Sequence, residues 1–443
     1  MGMFMQSFQN APRVSPSLQN RTILHIDFDS FFASCEQQFN PQFRGKPLGV
    51  TATNGRTCII ASSSQAKKLG IKTGSRTFEA FKLCPTLLLT PAHFTKYLEV
   101  SKKFLNICKD FSPLVEMFSI DEVFMDITST THLFGSPHQL IEQIKLRIKQ
   151  EIGEYITASV GISHNKLLAK LASGMKKPNG MFTIQKEDVE QIYKTVELTQ
   201  ICGIGERIKN RLNAIGIFTL WQLGQSPLEL LLEEFGDVEG HFLKQIGLGL
   251  DDSSVIPYTE ATQVKSVGRN YCLPKNEYDQ RVILQNVFEL CEEIAIKLRR
   301  LNKNARTVGL SLRGTRSEHS RITGKTYIDS GKDIFKACKY LYDKWEWDKN
   351  SKENQMVRQI SVWASNLEDV ENTPLSLFDF VEKDNKVLKT VDAINEKFGD
   401  HTIRNGFLLY ADKLTTQPNG YMADRFERNT IAKEGLKALT DIF

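Results

Sequence analysis

The sequence predicts a multidomain chain of α/β and α+β regions separated by a helical one, and three observations carry this. The chain has 443 residues, 41% hydrophobic and 25% charged, enough for several cores and too apolar for a disordered protein. Strand and helix signals mix as far as about residue 185, then give way to short, closely spaced helices as far as about residue 250. Beyond "SSVIPYTEATQVKSVGRN", which reads as a domain connection, helices and period-two strands resume.

The elements follow in order. The first twenty residues lack a charged start followed by an apolar run, and Gln6 stands where a myristoylation signal wants Ser or Thr. They read as a flexible leader. In "RTILHIDFDSFFASCEQQF" a strand over 22–27 places Ile23, His25 and Asp27 on one face and Leu24 and Ile26 on the other. Asp29 or Ser30 then stands where a cap is wanted for a helix running to about Phe39, and "NPQFRGKP" turns the chain. "TCIIASSSQAKKLGIKTG" is a strand, a Ser-rich start and a short helix stopped at Gly70. "EMFSIDEVFMDIT" reads as two short apolar strands with Asp121 and Glu122 at their junction. A helix at "HQLIEQIKLRIKQEIG", the strand "ITASVGIS" and the helix "NKLLAKLASGM", closed by "KKPNG", come next. "LTQICGIGERIKNRLNAIGIFTLWQLGQ" reads as two short helices around "GIG". Past the connection, helices over 279–301 and 332–345 alternate with the strands "RTVGLSLRG" and "VRQISVWASN".

The net charge of +5 is concentrated: residues 297–325 hold nine Lys or Arg against one acid, Glu318, so the remainder is slightly acidic. A patch this dense suits a polyanion, whose affinity comes from counterion release at phosphates, and equally suits a solvated surface. The eight cysteines scatter without a CxxC pair or a His partner at zinc spacing, as reduced thiols of a cytoplasmic protein do. No segment is long and apolar enough to span a membrane.

Adjacent carboxylates repel, and burying Asp121 and Glu122 without a counter-charge is costly. Asp27 ends one strand, and the acid pair sits where two others join. Neighbouring side chains of a straight strand face opposite ways, so either the backbone bends at the pair or each carboxylate serves a different side. Three carboxylates at neighbouring strand ends make an oxygen-ligand site for Mg²⁺. Two such ions activate an attacking hydroxyl and stabilise a leaving pyrophosphate. Acids in a solvated turn are the plainer reading of the same residues.

"DFDSFFASCE", "SIDEVFMDIT", "ASVGISHNKLLAKLAS" with "KKPNG", and "CGIGERIKNRLNAIG", in this order and spacing, resemble the Y-family translesion DNA polymerases over residues 22–366. The resemblance implies a right-hand polymerase. Its ferredoxin-like palm would be residues 21–33 and 91–185, its small fingers 34–90, and its helical thumb with a helix–hairpin–helix 186–252. A linker over 253–264, an α+β little finger over 265–370 and a C-terminal tail over 371–443 would follow, with the leader at 1–20.

By the same resemblance Asp27, Asp121 and Glu122 are the catalytic ligands of two Mg²⁺ ions, assisted by the Phe28 carbonyl. Phe28, Phe31 and Phe32 lie at the nucleotide, with Phe32 as the aromatic steric gate against a 2′-hydroxyl. Amides opening the helix after Asp29 suit a triphosphate. Lys177 in "KKPNG" matches a lysine that contacts the triphosphate. Ser64 and Lys67 stand where polymerase IV-like members carry Tyr and Arg. The lysine keeps the charge but loses the bidentate fork of Arg. This segment, with "ASCE", is similar to the catalytic subunit of polymerase V, whereas "ASVGISHNKLLAKLAS" and "KPNG" are similar to polymerase IV. Gly203 and Gly205 let hairpin amides approach DNA phosphate, and Lys265, Arg269, Arg306, Arg313 and Arg316 grip duplex backbone. In "TPLSLFDF", Leu375, Leu377 and Phe378 resemble a motif that plugs into a bacterial sliding clamp, with Pro374 in place of the usual Gln. Judged singly, Phe32 reads as a core residue, Lys177 as a solvated loop charge, "GIG" as an ordinary helical hairpin and "TPLSLFDF" as a packed strand end.

The expected activity is template-directed addition of dNTPs to a primer 3′-end, in low-fidelity translesion synthesis. Expected partners are primer–template DNA, dNTPs and a bacterial sliding clamp. A cytoplasmic, nucleoid-associated monomer without a membrane partner is expected. A nucleotide cyclase on the same palm topology lacks its "GGDEF"-type signature and leaves the hairpin unexplained. A DNA-binding scaffold, or a partner-dependent polymerase V-like subunit weakened at Ser64 and Lys67, must explain why all three carboxylates are kept. Metal-dependent primer extension separates these readings.

Overall fold

The computed structural model describes residues 21–52, 58–260, 263–345, 356–374, 379–398 and 402–408. They form two compact units, one from residues 21–51 and 58–260 and one from residues beyond 262. The leader expected over 1–20 and the clamp-like residues Leu375, Leu377 and Phe378 lie outside the described residues.

The first unit opens with β1 (Ile23–Phe28), α1 (Phe31–Phe39), β2 (Leu48–Thr51), β3 (Ile59–Ser62), α2 (Ser64–Lys68) and α3 (Thr77–Leu83). It continues through β4 (Leu88–Pro91), α4 (Phe94–Lys109), β5 (Val115–Met117), β6 (Glu122–Asp126) and α5 (Pro137–Arg147). Then come β7 (Ala158–Ser163), α6 (Lys166–Met175), β8 (Met181–Thr183) and α7 (Val189–Thr195). Four more helices follow, α8 (Glu206–Ala214), α9 (Leu220–Gln225), α10 (Leu228–Phe235) and α11 (Asp237–Gly247).

Strand β1 is the middle of a five-stranded sheet ordered β5-β6-β1-β7-β8. Its two neighbours both run antiparallel to it. Ile23, Leu24 and Ile26 are all buried, so the alternation read from the sequence does not leave one face wet. The sheet is covered on both sides, as near-continuous apolar strands require. A smaller sheet, β3-β2-β4, packs Ile59 against Ala66, Ile71 and Ala80 around α2 and α3.

Gly161 sets how closely α6 approaches this sheet. A Cβ there would stand 2.0 Å from the Ala169 carbonyl oxygen and 2.3 Å from the Ser173 nitrogen, both backbone atoms of α6. Gly161→Ala must therefore push the helix off the sheet, and we expect a loss of about 3 kcal/mol or more in chemical denaturation. A change below about 0.5 kcal/mol would show that the contact relaxes freely.

Two local expectations are corrected. Neither Asp29 nor Ser30 caps α1 with its side chain: Ser30 sits at the cap in the left-handed region (φ 52°), and the Asp29 carboxylate is engaged elsewhere. Before "GIG" the chain makes a single 3₁₀ turn, Leu198–Gln200, instead of a helix, which suffices to bury Leu198 and Ile201. The connection is also pinned over its first residues. Ser253 O accepts from Arg21 at 3.1 Å, Ile256 N donates to Glu116 at 2.8 Å, and Val255 is buried.

The second unit consists of β9 (Ser266–Glu277), α12 (Gln280–Arg300), β10 (Lys303–Gly314), β11 (Ser317–Ile328), α13 (Gly331–Lys344), β12 (Val357–Asp369) and α14 (Asp379–Phe398). Its antiparallel sheet is ordered β11-β10-β12-β9. Val308, Leu310, Leu312, Ile360 and Val362 pack with Ile283, Val287, Ile294 and Ile334 of the helices. Strands β9 and β11 were not expected. In β9 buried Val267, Tyr271 and Leu273 alternate with Gly268, Asn270 and Cys272, an apolar period diluted by glycine and polar residues. β11 is an edge strand whose polar side chains leave no apolar period to read. Part of the segment read as a tail belongs to this unit. Asp392 of α14 forms a bidentate pair with Arg299 (2.5 and 2.7 Å), and Leu408 is buried in the core.

Candidate active site

The antiparallel register of β1 and β6 sets Asp27 directly opposite Glu122. Asp121 lies just before β6, in a bend where the Phe118 and Ser119 amides both donate to the Glu122 carbonyl (3.1 and 3.2 Å). The bend answers the conflict of adjacent acids, since Asp121 does not follow strand alternation. The Phe28 amide donates to the Asp121 carbonyl at 3.0 Å, tying the end of β1 to the bend.

The two acids have different surroundings. Burial would raise Glu122, but a hydrogen bond from His25 and the Lys170 ammonium override it and hold the carboxyl at about 2. His25 is fully buried, with Nε2 2.9 Å from Glu122 Oε2 and Nδ1 2.7 Å from Ser173 Oγ. Burial lowers the imidazole below its ordinary value. Near neutral pH its Nε2 donates to Glu122, while the Ser173 hydroxyl beside Nδ1 donates to the Lys170 carbonyl at 2.8 Å. Lys170 pairs with the same Glu122 oxygen. Asp121 is pushed up to about 6 by burial, against a hydrogen bond from Ser119 (2.5 Å), with the charges of Asp27 and Glu122 adding to the rise.

Asp27 pairs with Lys177, which is delivered by the turn over 176–180. Asp29, buried beneath, holds that turn. Its carboxylate accepts from Thr157 (2.8 Å), Ser159 (2.7 Å) and the Asn179 amide (2.7 Å). Gly180 is required there, because a Cβ would stand 1.5 Å from the Lys176 carbonyl oxygen. Lys67 lies in the same field: burial lowers its ammonium, Lys177 lowers it further, and Asp29 and Asp27 oppose the shift. Ser64 opens α2 one turn before it.

Phe28, Phe31 and Phe32 are buried at the end of β1 and the start of α1. Phe28 stacks on Phe31 at 5.3 Å, and Phe32 on Tyr97 at 4.5 Å. In the helical part Gly203 has φ 105° and faces Phe242 and Ile246, whereas Gly205 opens α8 with free space around it. In the second unit Arg313 lies opposite Ser317, on the sheet face away from Leu310 and Leu312. Arg316 is in the β10–β11 turn, and Arg306 lies over the Tyr327 ring. Lys265 is exposed just before β9. Arg269 differs: it shares the helix-side parity of Val267 and Tyr271, and its guanidinium is 3.0 Å from Glu293 of α12. It does not share the face of Arg313.

Sequence reasoning missed His25, Lys170, Ser173, Ser119 and Asp29 as parts of the site. The shared face of His25 and Asp27 was a usable signal for one of them. Ligand atoms of His25, Asp27 and Glu122 lie within 4.8 Å of one another, with His25 in that cluster as the hydrogen-bond donor that orients Glu122. Asp121 stands outside that set but is electrostatically coupled to it.

The described residues thus combine a five-stranded sheet with carboxylates at its central strand ends, a helical region and an α+β unit. Residues 26–174 match the impB/mucB/samB family model, and residues 264–377 match the model of its C-terminal domain. The chain is 35% identical over 410 residues to a DNA polymerase IV of Pelotomaculum thermopropionicum, covering 91% of this chain and 97% of the relative. It is 31% identical to a DNA polymerase IV 2 of Halalkalibacterium halodurans, covering 87% and 94%. Among solved structures, a Y-family DNA polymerase chimera aligns with a TM-score of 0.66 at 28% identity, over 79% of this chain and 99% of the other. The chain belongs to the impB/mucB/samB family, the Y-family DNA polymerases, and is a DNA-directed translesion polymerase.

Proposed function

We propose that the chain extends a primer 3′-end with dNTPs through a site formed by Asp27, Asp121, Glu122 and the Phe28 carbonyl, which hold two Mg²⁺ ions. The observation that carries this reading is the contrast between the carboxylates. Glu122 is held ionised by His25 and Lys170, while Asp121 is raised to about 6 beside two further negative groups. An all-oxygen donor set of that charge fits a hard divalent cation. When bound, such ions supply Lewis acidity to the attacking 3′-hydroxyl and the leaving pyrophosphate.

The protein's own groups do the rest. His25 and Lys170 keep Glu122 in one orientation. Lys177 releases Asp27 to meet the triphosphate, joined by Lys67, and the uncapped α1 N-terminus presents amides to its oxygens. Phe32 excludes a 2′-hydroxyl. Gly203 and Gly205 bring hairpin amides to DNA phosphate, and Lys265, Arg306, Arg313 and Arg316 hold the backbone of the duplex in a salt-sensitive way. In this reading residues 21–33 and 91–185 act as palm, 34–90 as fingers, 186–252 as thumb and 265–370 as little finger. Leu375, Leu377 and Phe378 engage a sliding clamp, and the enzyme acts as a monomer at the nucleoid.

Incubating the protein with a primed template, dNTPs and Mg²⁺ tests the reading. Template-matched extension is expected, and DNA binding without any extension would sink it.

The Asp121 shift adds a pH signature. Below about pH 6 the carboxyl is protonated, and binding Mg²⁺ expels that proton, so affinity should fall roughly tenfold per pH unit there. Because the folded value is raised, the metal-free protein instead gains stability as pH falls through 6. Titration calorimetry at pH 5.5, in buffers of differing ionisation enthalpy, should show proton release that Asp121→Asn abolishes. Equal proton counts for the two proteins would refute the assignment.

A further inference from the structure

Glu36 is a buried carboxylate that the chemistry above does not use. A carboxylate is costly to bury unless its oxygens are hydrogen-bonded. Glu36 Oε1 accepts from the Tyr97 hydroxyl at 2.5 Å and lies 2.9 Å from His93 Nδ1. Burial, reinforced by the Glu36 hydrogen bond, pushes the Tyr97 phenol far above its ordinary value, so it stays a protonated donor.

The placement of this bond is informative. Phe32 and Glu36 are four residues apart on α1, hence one turn apart on one face. Tyr97, fully buried in α4, meets both. Its ring lies nearly parallel to that of Phe32, at 4.5 Å and 13°, while its hydroxyl reaches Glu36. Phe94 closes the stack, edge-on to both rings. The tyrosine is therefore held at its ring and at its oxygen, and the Phe32 ring rests against it. A ring that excludes a hydroxyl sterically must not recede when pressed.

We propose that Glu36, through the Tyr97 hydroxyl, is a positioning residue that fixes the Phe32 ring and so sets discrimination between deoxyribonucleotides and ribonucleotides. This rests on the reading of Phe32 as the steric gate. Neither Glu36 nor Tyr97 touches the nucleotide in this account, and both act through Phe32.

The test compares kcat/KM for a dNTP and for the matching rNTP on one primed template, in wild type, Tyr97→Phe, Glu36→Gln and Phe32→Ala. Tyr97→Phe keeps the ring and removes the hydroxyl. It should lower the dNTP preference about five- to twentyfold by raising rNTP use, with dNTP kcat/KM within about threefold of wild type. Glu36→Gln keeps an acceptor for the hydroxyl and should retain most of the preference. The ratio of two kcat/KM values does not depend on the active fraction, so partial unfolding cannot imitate the effect. If Tyr97→Phe lowers both substrates equally, the hydroxyl merely supports the fold and the inference is overturned. If Phe32→Ala leaves the ratio unchanged, the gate reading fails and takes the inference with it. A change with Phe32→Ala but none with Tyr97→Phe defeats the inference alone.

Discussion

Asp121→Ala should abolish nucleotide incorporation, with kcat down by about a thousandfold or more, while leaving the protein as stable as wild type or more so. The loss follows from the role of the carboxylate. With Asp121 gone, the cations lose a ligand at the point where charge develops. The stability sign follows from its surroundings: Asp121 is buried beside Asp27 and Glu122, and its raised value means that its charge is unfavourable at neutral pH. Glu122→Ala should also abolish incorporation but with the opposite stability sign. His25 Nε2 and the Lys170 ammonium then lose their shared acceptor, at a cost of about 1–3 kcal/mol. Primer extension, thermal melting and a DNA-binding assay on the two variants separate the effects. Retained extension by Asp121→Ala would remove it from the metal site. Equal destabilisation by both would show that the asymmetry between the acids is misjudged.

Asp29→Ala should be the most destabilising single change near the site, at about 3–5 kcal/mol. It strands the Thr157 and Ser159 hydroxyls and the Asn179 amide together. For a domain of this size that corresponds to a melting shift on the order of 10 °C. The turn over 176–180 loses its anchor on this side, so Lys177 is no longer held above Asp27, and KM for dNTP should rise in whatever fraction stays folded. Asp29→Asn keeps one acceptor oxygen and should lie between the two. An unchanged melting temperature in Asp29→Ala would mean that Lys145, which donates to the Asn179 and Gly180 carbonyls at 2.8 and 3.1 Å, holds the turn unaided.

Much of this was readable from short-range pattern. The strand ending at Asp27, the acid pair at a strand junction and the helix over "NKLLAKLASGM" depend on spacing and on local backbone preference. Helix α6 even carries its own cap, with the Asn165 side chain accepting from the Leu168 amide. Elements without a strong apolar period were harder. β11 is polar along an exposed edge, and β9 is interrupted by Gly268 and Asn270. Asp29 was read as a helix cap because its nearest groups in the chain invite that, whereas its actual partners lie 128 to 150 residues away.

The sequence by itself determined which chemistry is present: three carboxylates on strand ends, a lysine in a tight turn, an aromatic helix start and a basic α+β unit, because residue type and local spacing suffice for those. Tertiary structure decided how each charge is answered. His25 reaches Ser173 across 148 residues, and Lys170 reaches Glu122 across 48, because Gly161 lets α6 lie directly on the sheet. Arg269 belongs to Glu293 because strand parity turns it toward α12. A hydrogen bond or an ion pair is decided within an ångström, and that distance between remote segments is set by register and packing, which no local stretch of sequence contains.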